Sequence, residues 1–516
     1  MRLLNSTTLQ LHEFFGATIP PYAILSHTWE DDEVSFQDMH DEVGIQKAGY
    51  HKITNCCKTA AADGFEYAWV DTCCINKTSR SELSEAINSM YRWYQYAEVC
   101  YVFLSDVPSP ANPRSLHSAF RKSRWFTRGW TLQELIAPSQ LAFFGSDWNE
   151  VGTKLSLKDL VSEITGIPED VLLGASLESF SVSQRMSWAS KRQTTRSEDL
   201  AYCLMGLFGV NMPMLYGEGE GAFGRLQQEI MNISDDQTIF IWKSDSWWEH
   251  RGGLLADSPA AFVDSGNIVQ CSNRQPDSFS WTNGGIRLCL PLKPLAIANS
   301  YLAIVDCQEL GENEILLGLV LEYIPSTDGH FQRATSDEIQ KIDSVEGLQI
   351  SRQNIFIKQH QRQKKPASHG FYHLLSVNER ALQEQGIKFV GAYPFDHHEI
   401  LKGGNIFIAT FYDNILCALR FEHRSGDIFD VTFRMKDKIL SAFVDQPEVG
   451  ESLREMYWSF RKEYSVVRLK NPPPFSERQR IWGPDSDRVI WRDICVAVKR
   501  QLVSGVKRLT ICINQV

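Results

Sequence analysis

The chain has 516 residues, of which 43% are hydrophobic and 22% charged, and its formal net charge is −11. At roughly 150 residues per domain, this length predicts about two to four globular domains with well-filled cores. The negative charge argues against a nucleic-acid or anionic-membrane binder, because both classes need a positively charged surface.

The N-terminal residues and the cysteine content indicate the compartment. The start, MRLLNSTTLQLHEFF, has neither the apolar run nor the cleavage site of a signal peptide. No stretch approaches the roughly 18 apolar residues that a membrane-spanning helix needs. The twelve cysteines of such a chain are expected to be reduced thiols. We therefore expect a cytoplasmic protein without a membrane span.

Strand and helix signals alternate in the first part of the chain. Short β-type runs lie at 22–26, 67–71, 99–104 and 141–144. Helical patterns lie at 52–63, at 83–94 and directly before Pro138. This alternation predicts a parallel sheet with helices on both faces, connected by right-handed crossovers.

The rest of the chain changes character twice. Helical pieces separated by Gly and Pro run to about residue 238, and short β runs with turn residues between them follow. The second pattern is typical of antiparallel sandwiches or barrels. We therefore predict an α/β domain at 1–154, a helical segment at 155–238 and a β-rich region at 239–516. A polar break at 359–368 is either a linker that divides the β-rich region into two units or a long exposed loop.

Polar side chains follow the predicted strands where each one ends. Ser26, His27 and Trp29 come at the end of the first strand, and Asp71 ends the second. Glu134 lies on the helix that follows the third strand. In an open parallel sheet, ligands bind outside the carboxyl ends of the strands, where the strand order reverses. The sequence therefore predicts a site for a flat, polar small molecule at this edge.

The stretch SRWFTRGWTLQELIAP carries the strongest candidate for a catalytic group. A proline ends its helix, whose apolar stripe is Leu132, Leu135 and Ile136. Glu134 lies off this stripe, one turn after Trp130, where the two side chains touch. A carboxyl group held against an indole is partly desolvated, which raises its pKa and suits it to catalysis. The alternative is an ordinary solvated glutamate on a helix face.

Other motifs give weak signals. The segment GEGEGAFG at 217–224 has GxGxxG spacing, but no strand precedes it and its two glutamates would repel a pyrophosphate. The pairs Cys56–Cys57 and Cys73–Cys74 are adjacent, whereas zinc ligands are spaced apart. We therefore predict no dinucleotide site at the glycines and no metal site.

Four motifs resemble a known family in both residues and order. They are YAILSHTWEDDEVSFQDM, GYHKITNCCKTAAADGFEYAWVDTCCINKTS, SELSEAINSMYRWYQYAEVCYVFLSDV and SRWFTRGWTLQELIAP. Together they resemble the fungal heterokaryon incompatibility (HET) domain over about residues 20–145. The following RMSWASKRQTTRSEDLAYCLMGLFGVNMPMLYGEG resembles the helical segment that accompanies HET domains. The resemblance implies a nonself-recognition effector that triggers regulated cell death when different hyphae fuse.

The HET domain in turn is similar to TIR domains, which have a flavodoxin-like fold. GWTLQEL resembles the WCLxEL segment of TIR domains, whose glutamate is catalytic in those members that cleave NAD. Carried over by motif, that glutamate is Glu134. The resemblance implies an NAD glycohydrolase that takes NAD or a related nucleotide as substrate and needs no cofactor. It also implies self-association into a homo-oligomer, in response to a protein trigger that the sequence does not identify.

The implied reaction assigns roles to the candidate residues. Splitting the nicotinamide–ribose bond passes through an oxocarbenium-like state, which one carboxylate can stabilise while it holds the ribose hydroxyls. Trp29 or Trp130 would stack on a flat ring, and His27 or Arg128 would hold phosphate. Each also has a structural alternative, in packing or in a surface ion pair. The candidate catalytic residue is thus Glu134, and the candidate substrate-binding residues are Ser26, His27, Trp29, Asp71, Arg128 and Trp130.

Two other functions fit the same sequence. In the first, the HET domain is a non-enzymatic module that signals by self-assembly and protein contacts through the helical surface around Arg92 and Gln95. In the second, the β-rich half is the working part of a regulatory or nonself-recognition protein.

Overall fold

The computed structural model describes residues 1–41, 43–108, 112–243, 253–271, 279–295, 300–312, 314–324, 329–334, 339–343, 346 and 349–359, and a series of strands and turns between 374 and 515. The chain forms two compact units. One comprises Met1–Asp245, Gly252–Lys293 and Tyr301–Gln359, and the other comprises the remaining residues, chiefly His360–Val516. The polar break predicted at 359–368 lies, beyond Gln359, outside the described residues. Our division into three regions stays a prediction.

The N-terminal part of the first unit contains alternating strands and helices, as predicted. Its strands are β1 (Arg2–Asn5), β2 (Leu11–Glu13), β3 (Tyr22–His27), β4 (Tyr67–Trp69), β5 (Val99–Phe103), β6 (Leu141–Phe144) and β7 (Glu150–Thr153). Its helices are α1 (Phe36–His40), α2 (Tyr50–Ala62), α3 (Asp71–Cys74), α4 (Arg80–Tyr96) and α5 (Thr131–Ile136). Short 3-10 helices lie at Gly16–Thr18, Gly44–Gln46, Phe120–Lys122 and Arg124–Thr127. The second predicted strand is shorter than expected, because Asp71 begins a helix.

These strands form one sheet in the order β2-β1-β4-β3-β5-β6-β7. The inner strands β4, β3, β5 and β6 are parallel, as predicted. The outer strands β1, β2 and β7, which were not predicted, are antiparallel to their neighbours, so the whole sheet is mixed and the prediction of a parallel sheet holds for its four inner strands. Each of these outer strands has only three or four residues, which is too short for a periodic pattern in the sequence.

The strand order reverses at β3, which has β4 on one side and β5 on the other. Parallel crossovers are right-handed, so α2, which leads to β4, lies on one face, while α4 and α5 lie on the opposite face. Strand β3 is buried at every position, which explains its continuous apolar run. Its carboxyl end is therefore the switch point at which α/β sheets bind ligands.

The segment after β7 is helical, as predicted. It contains α6 (Lys158–Thr165), α7 (Glu169–Leu172), α8 (Val182–Ser187), α9 (Asp199–Tyr202), α10 (Met205–Phe208) and α11 (Gly221–Ile233), with 3-10 helices at Leu177–Ser179 and Gln237–Phe240. Helix α10 packs on α4, and a Cβ on Gly206 would lie 2.2 Å from Cβ of Tyr91. Only glycine permits this approach, so the helical segment is docked closely on the sheet domain. Of the helices that the structure describes, none is both long and apolar enough to cross a bilayer.

The following residues form sheets, as predicted for 239–516. Up to Gln359 the strands are β8 (Ile268–Gln270), β9 (Ser280–Thr282), β10 (Gly285–Pro294), β11 (Ser300–Val305), β12 (Cys307–Glu309), β13 (Ile315–Tyr323), β14 (His330–Arg333), β15 (Gln340–Asp343) and β16 (Arg352–Ile357), after a 3-10 helix at Pro259–Phe262. One sheet has the order β11-β10-β16-β14-β13-β15, with β9 paired to β10, and β12 pairs with β8. The β character of this part is therefore confirmed.

Beyond Gln359 the described elements are again strands. They are β17 (Leu374–Asn378), β18 (Ile387–Tyr393), β19 (His398–Ile400), β20 (Asn405–Ala409), β21 (Cys417–His423), β22 (Ile428–Lys436), β23 (Ile439–Asp445), β24 (Arg488–Trp491), β25 (Ile494–Val503) and β26 (Val506–Gln515). They form two sheets with the orders β19-β20-β17-β26-β25-β24 and β18-β21-β22-β23. Their arrangement as a sandwich or a barrel stays a prediction.

Candidate functional site

Two carboxyl groups lie at the carboxyl ends of the inner strands. Ser26 and His27 end β3, Asp71 begins α3 just after β4, and Glu134 lies on α5. Glu134 is hydrogen-bonded to Ser26, and Asp71 contacts His27. The structure therefore brings together the residues that were predicted from the strand ends.

Glu134 is enclosed, with 7% of the residue exposed. The Ser26 hydroxyl donates a hydrogen bond to its carboxyl group, and Trp125 Nε1 donates to Ser26 Oγ over 2.8 Å. Burial raises the pKa of Glu134 to about 8, although the hydrogen bond from Ser26 opposes the rise. In most molecules the Glu134 carboxyl group is therefore protonated at neutral pH. The alternative of a solvated glutamate on a helix face is wrong, because the residue is buried.

An indole that was not predicted is linked to this carboxyl group. We predicted Trp130, whose indole also lies near Asp199 and favours the charged form of that group against burial. The indole linked to Glu134 through Ser26 belongs to Trp125, which is 1% exposed. No sequence signal separates this residue from an ordinary core tryptophan, because the partner of its N–H lies 99 residues away.

The surroundings of Asp71 lower its pKa, whereas those of Glu134 raise the pKa of that group. Trp29 Nε1 donates to Asp71 Oδ2 over 2.8 Å, and His27 Nε2 lies 3.1 Å from Asp71 Oδ1. Burial disfavours the charge of Asp71. The hydrogen bond from His27, the charge of Lys77 and the indole N–H together outweigh burial and lower the pKa of Asp71 to about 2. Asp71 is therefore an anion at neutral pH.

Cations also contact the Trp29 ring. Lys77 Nζ lies 3.4 Å from the ring centroid, and the Arg128 guanidinium carbon lies 5.6 Å from it. Both distances are in the range of a cation–π interaction. The residue nevertheless stays 42% exposed. An indole that is fixed in place and exposed can stack on a ligand ring at little ordering cost.

An ion cluster lies beside the second ring nitrogen of His27, which is buried and has no hydrogen-bond partner among the described residues. His27 Nδ1 lies 3.7 Å from Glu33 Oε1. Glu33 is paired with Lys52, whose Nζ also lies 3.3 Å from Glu30 Oε2. Lys52 is 1% exposed and was not predicted to be buried. A signal was present, since Lys52 and Cys56 lie four residues apart on the buried face of α2.

An open pocket of about 370 Å³ adjoins these clusters, a volume in the range of small-molecule sites. Its first wall comes from the sheet domain and consists of Thr28, Trp29, Arg124, Thr127, Arg128 and Trp130. Its second wall comes from the helical segment and consists of Gln193, Thr194, Thr195 and Asp199. Of the predicted site residues, Trp29, Arg128 and Trp130 line the pocket, whereas Ser26, His27, Asp71 and Glu134 do not.

Backbone hydrogen bonds join the two walls. Gln193 N donates to Thr127 O over 2.7 Å, and Gly129 N donates to Gln193 O over 2.8 Å. A Cβ on Gly129 would lie 2.4 Å from Thr194 Cγ2. The two segments therefore approach so closely that a side chain at position 129 would force the Thr194 side chain to move.

Buried cations hold both ends of α5. Arg192 Nη1 donates to Arg128 O and to Thr131 Oγ1, over 2.9 Å in each case. Lys154 Nζ donates to Leu135 O over 3.2 Å and to a second carbonyl just after the helix. Burial lowers the pKa of Arg192 to about 10 and that of Lys154 to about 8. The short helix that carries Glu134 is thus fixed from both ends, by contacts that were not predicted.

The glycine-rich segment at 217–224 is not a phosphate-binding loop. Gly217 N and Gly219 N donate to the Glu198 carboxylate over 2.7 and 3.1 Å. These amides are therefore already satisfied by a side chain of the same chain. Among the described residues, no group of three or more His, Cys, Asp or Glu side chains is arranged to hold a metal ion.

Comparison with known proteins matches part of the sheet domain to a family. A sequence model of the family described as "Heterokaryon incompatibility protein (HET)" matches residues 22–115. The chain carries a HET domain. The Vegetative incompatibility protein HET-E-1 of Podospora anserina is 43% identical over 279 residues, which are 52% of this chain and 20% of that protein. The chain thus spans a fifth of the length of this curated relative. No solved structure matches the chain.

The family match covers part of the site. It includes β3, β4 and the residues that follow them, and it ends before α5 and before the pocket residues from Arg124 onward. The candidate site therefore combines matched HET residues with residues beyond the matched range.

Proposed function

We propose that this chain is a vegetative incompatibility effector whose HET domain hydrolyses the nicotinamide–ribose bond of NAD and thereby triggers regulated cell death. The description of the relative HET-E-1 as a vegetative incompatibility protein supports the process. The observation that carries the reaction is the enclosed Glu134, hydrogen-bonded to Ser26 at the carboxyl end of β3. A carboxyl group with a perturbed pKa at a switch point is a catalytic candidate on physical grounds.

The strand order supports a flavodoxin-like, TIR-like fold for the HET domain. When the four parallel strands are numbered along the chain, they lie in the order 2-1-3-4. The flavodoxin-like sheet has the order 2-1-3-4-5, with its ligand at the switch point beside the first strand. The proposal puts the nicotinamide end of NAD at the corresponding point of this sheet.

In the proposed reaction, the bond between nicotinamide and ribose C1′ breaks, and its electron pair neutralises the pyridinium ring. The ribose becomes oxocarbenium-like, a water oxygen bonds to C1′, and a water proton passes to solvent. The leaving group needs no proton, so one carboxylate that holds the ribose hydroxyls and faces the cation suffices. We assign this role to Glu134.

The raised pKa of Glu134 makes its ionisation depend on the ligand. Without ligand, burial keeps the group protonated up to about pH 8. A bound pyridinium cation would favour the carboxylate, and the charges of Arg128 and Arg192 act in the same direction. The reaction is therefore expected to speed up as the pH rises toward 8.

The pocket residues supply binding in this proposal. Trp29 and Trp130 stack on flat rings, and Arg128 holds phosphate. Asp71 fixes Trp29 through the indole hydrogen bond and is itself contacted by His27. Asp71 and His27 are thereby positioning residues.

Nicotinamide release by the purified full chain incubated with NAD tests the proposal. Glu134→Gln keeps the shape of the side chain and is expected to lower the rate by about 10²- to 10³-fold. Glu98→Gln, at an exposed position of the same domain, is expected to keep the rate. Release at the wild-type rate by Glu134→Gln contradicts the proposal. So does the absence of release by wild-type protein fused to an oligomerising tag.

Non-enzymatic signalling through self-assembly is the second candidate function. Helix α4 exposes Arg92, Gln95 and Tyr96, the last with 70% of the residue exposed, which supports a contact surface. Under this function, fungal cells that express Glu134→Gln still die, and cells that express Arg92→Glu with Gln95→Glu survive. The reverse outcome supports hydrolysis.

A further inference from the structure

The second wall of the pocket has no role in the proposed reaction. It offers the hydroxyl, amide and carboxyl groups of Gln193, Thr194, Thr195 and Asp199. The first wall offers indole and guanidinium groups instead. Two walls of different chemistry suit a ligand with distinct parts, each with its own polar partners.

Asp199 is held at the pocket by a hydrogen bond. Its carboxyl group accepts a hydrogen bond from Tyr216 Oη over 3.0 Å, and the indole of Trp130 lies near enough to favour the charged form against burial. The segment that precedes it is tied to the first wall through Gln193 and Gly129. A carboxylate has about four acceptor positions, so Asp199 can accept further hydrogen bonds from a ligand while it keeps this orientation.

The first wall carries positive charge that is weakly paired. The guanidinium of Arg124, whose side chain is 65% exposed, lies 3.8 Å from Glu30 and 3.7 Å from Asp106. Within the described part of the chain, the Arg128 side chain forms no ion pair and contacts the Trp29 ring instead. A guanidinium fork without a carboxylate partner is well suited to a phosphate.

From these two walls we propose a nucleotide site shared by the HET domain and the helical segment. Arg128 and Arg124 hold a phosphate, and Asp199 accepts a hydrogen bond from a ribose hydroxyl. Asp199 thereby disfavours a nucleotide that carries a phosphate on that hydroxyl, because two anions would meet. The ligand class, a NAD-like nucleotide, rests on the proposed function, but this inference concerns binding and specificity and not cleavage.

Isothermal titration of the full chain with ADP-ribose and with ADP-ribose 2′-phosphate tests this site. Neither probe contains a nicotinamide bond, so hydrolysis does not enter the measurement. Wild-type protein is expected to bind ADP-ribose at least about tenfold more tightly than the 2′-phosphate, since facing anions repel. Asp199→Asn is expected to remove most of this preference, and Arg128→Met is expected to weaken the binding of both probes.

Two further variants control the experiment. Asp170→Asn changes an exposed aspartate on α7, outside the pocket, and is expected to keep the wild-type preference. Thr195→Trp fills the pocket from an exposed position, where it should not disturb folding, and is expected to abolish binding of both probes. Thermal midpoints of all variants establish that each is folded.

The outcomes separate this inference from the proposed function. An unchanged preference in folded Asp199→Asn, or tight binding by Thr195→Trp, overturns the shared site even if the chain releases nicotinamide from NAD. The expected preference without any nicotinamide release supports the shared site and contradicts the hydrolysis. If wild-type protein binds neither probe, the shared site is wrong, and nicotinamide release alone then decides the proposed function.

Discussion

Glu134 and Asp71 lie at the same edge of the sheet and in opposite environments. Glu134 is enclosed and accepts a hydrogen bond from Ser26, and burial raises its pKa to about 8. Asp71 receives donors from His27 and Trp29, and its pKa is lowered to about 2 in spite of burial. Burial alone therefore does not set the charge of a carboxyl group: the donors and cations around Asp71 outweigh burial, whereas Ser26, Arg128 and Arg192 do not outweigh it at Glu134.

This difference separates two tasks. A permanently charged Asp71 can hold Trp29 in place, since its hydrogen bonds persist at any neutral pH. Glu134, which is neutral until a cation approaches, can respond to the ligand. Pairs of carboxyl groups with pKa values pushed apart are typical of acid–base sites. The two groups should therefore respond to pH in opposite directions.

Glu134 should make the folded state less stable as the pH rises. Between the ordinary pKa of 4.5 and the folded value of about 8, the folded state keeps a proton that the unfolded state has lost. The free energy of unfolding should fall by up to about 1.4 kcal/mol per pH unit, on the order of 4 kcal/mol over this range. Denaturant melts of the wild type and of Glu134→Gln measure this loss, which the variant should not show.

Glu98→Gln is the matched control and should keep the wild-type pH dependence. If the difference in stability between the wild type and Glu134→Gln is the same at every pH in this range, the raised pKa of Glu134 is wrong.

The ion cluster beside His27 should have the next largest effect on the free energy of unfolding. Lys52→Met leaves the Glu33 carboxylate, whose side chain is 13% exposed, without its main cation. Because an unpaired buried charge is costly, we expect a loss of about 3 kcal/mol in the free energy of unfolding. Lys158→Met is the control, because the lysine paired with Glu169 is 35% exposed and the loss of an exposed pair should cost much less. Equal losses in the two variants would contradict a buried ion cluster.

Asp71 should make the folded state more stable as the pH rises, which is opposite to Glu134, and it should do so in a more acidic range. Its pKa is 3.8 ordinarily and about 2 in the folded state, so its stabilising contribution is complete above about pH 4 and is lost as the pH falls through 2. The contribution should amount to about 2 kcal/mol. It is measured as the difference in stability between the wild type and Asp71→Asn across this acidic range. A difference that grows as the pH falls would contradict the assignment.

The smallest effect is expected for the hydrogen bond that Trp125 donates to Ser26. Trp125→Phe keeps most of the ring packing and removes the N–H donor, which should cost about 1 kcal/mol beyond the packing change. Trp69→Phe is the control, because the buried Trp69 Nε1 has no hydrogen-bond partner among the described residues. Equal losses in denaturant melts of the two variants would mean that the hydrogen bond contributes nothing.

Sequence reasoning located the edge of the site and missed its interior. Ser26 and Asp71 were predicted because they end apolar runs, and Glu134 because it lies on the helix after the third strand, beside an indole, in a motif that resembles a known one. Trp125 and Arg192 were missed because their partners lie 99 and 61 residues away, and no periodicity marks such contacts. The second wall of the pocket was missed for the same reason.

The strands, too, could be predicted only where the local sequence carries a pattern. Strand β3 is buried along its whole length and therefore reads as a continuous apolar run. The outer strands β2 and β7 are short and have exposed or half-buried residues only, so local sequence does not distinguish them from loops. Pairing with a neighbouring strand, which is a tertiary contact, is what defines them.

The pH dependence of nicotinamide release from NAD by the full chain tests the central claim most directly. If Glu134 acts as a carboxylate, kcat/KM should rise about tenfold per pH unit below about pH 8 and then level off. Glu134→Gln should be slower by about 10²-fold or more and should lack this rise. A wild-type profile that is flat across this range, or equal rates for the two proteins, would contradict the assignment of Glu134 as the catalytic residue.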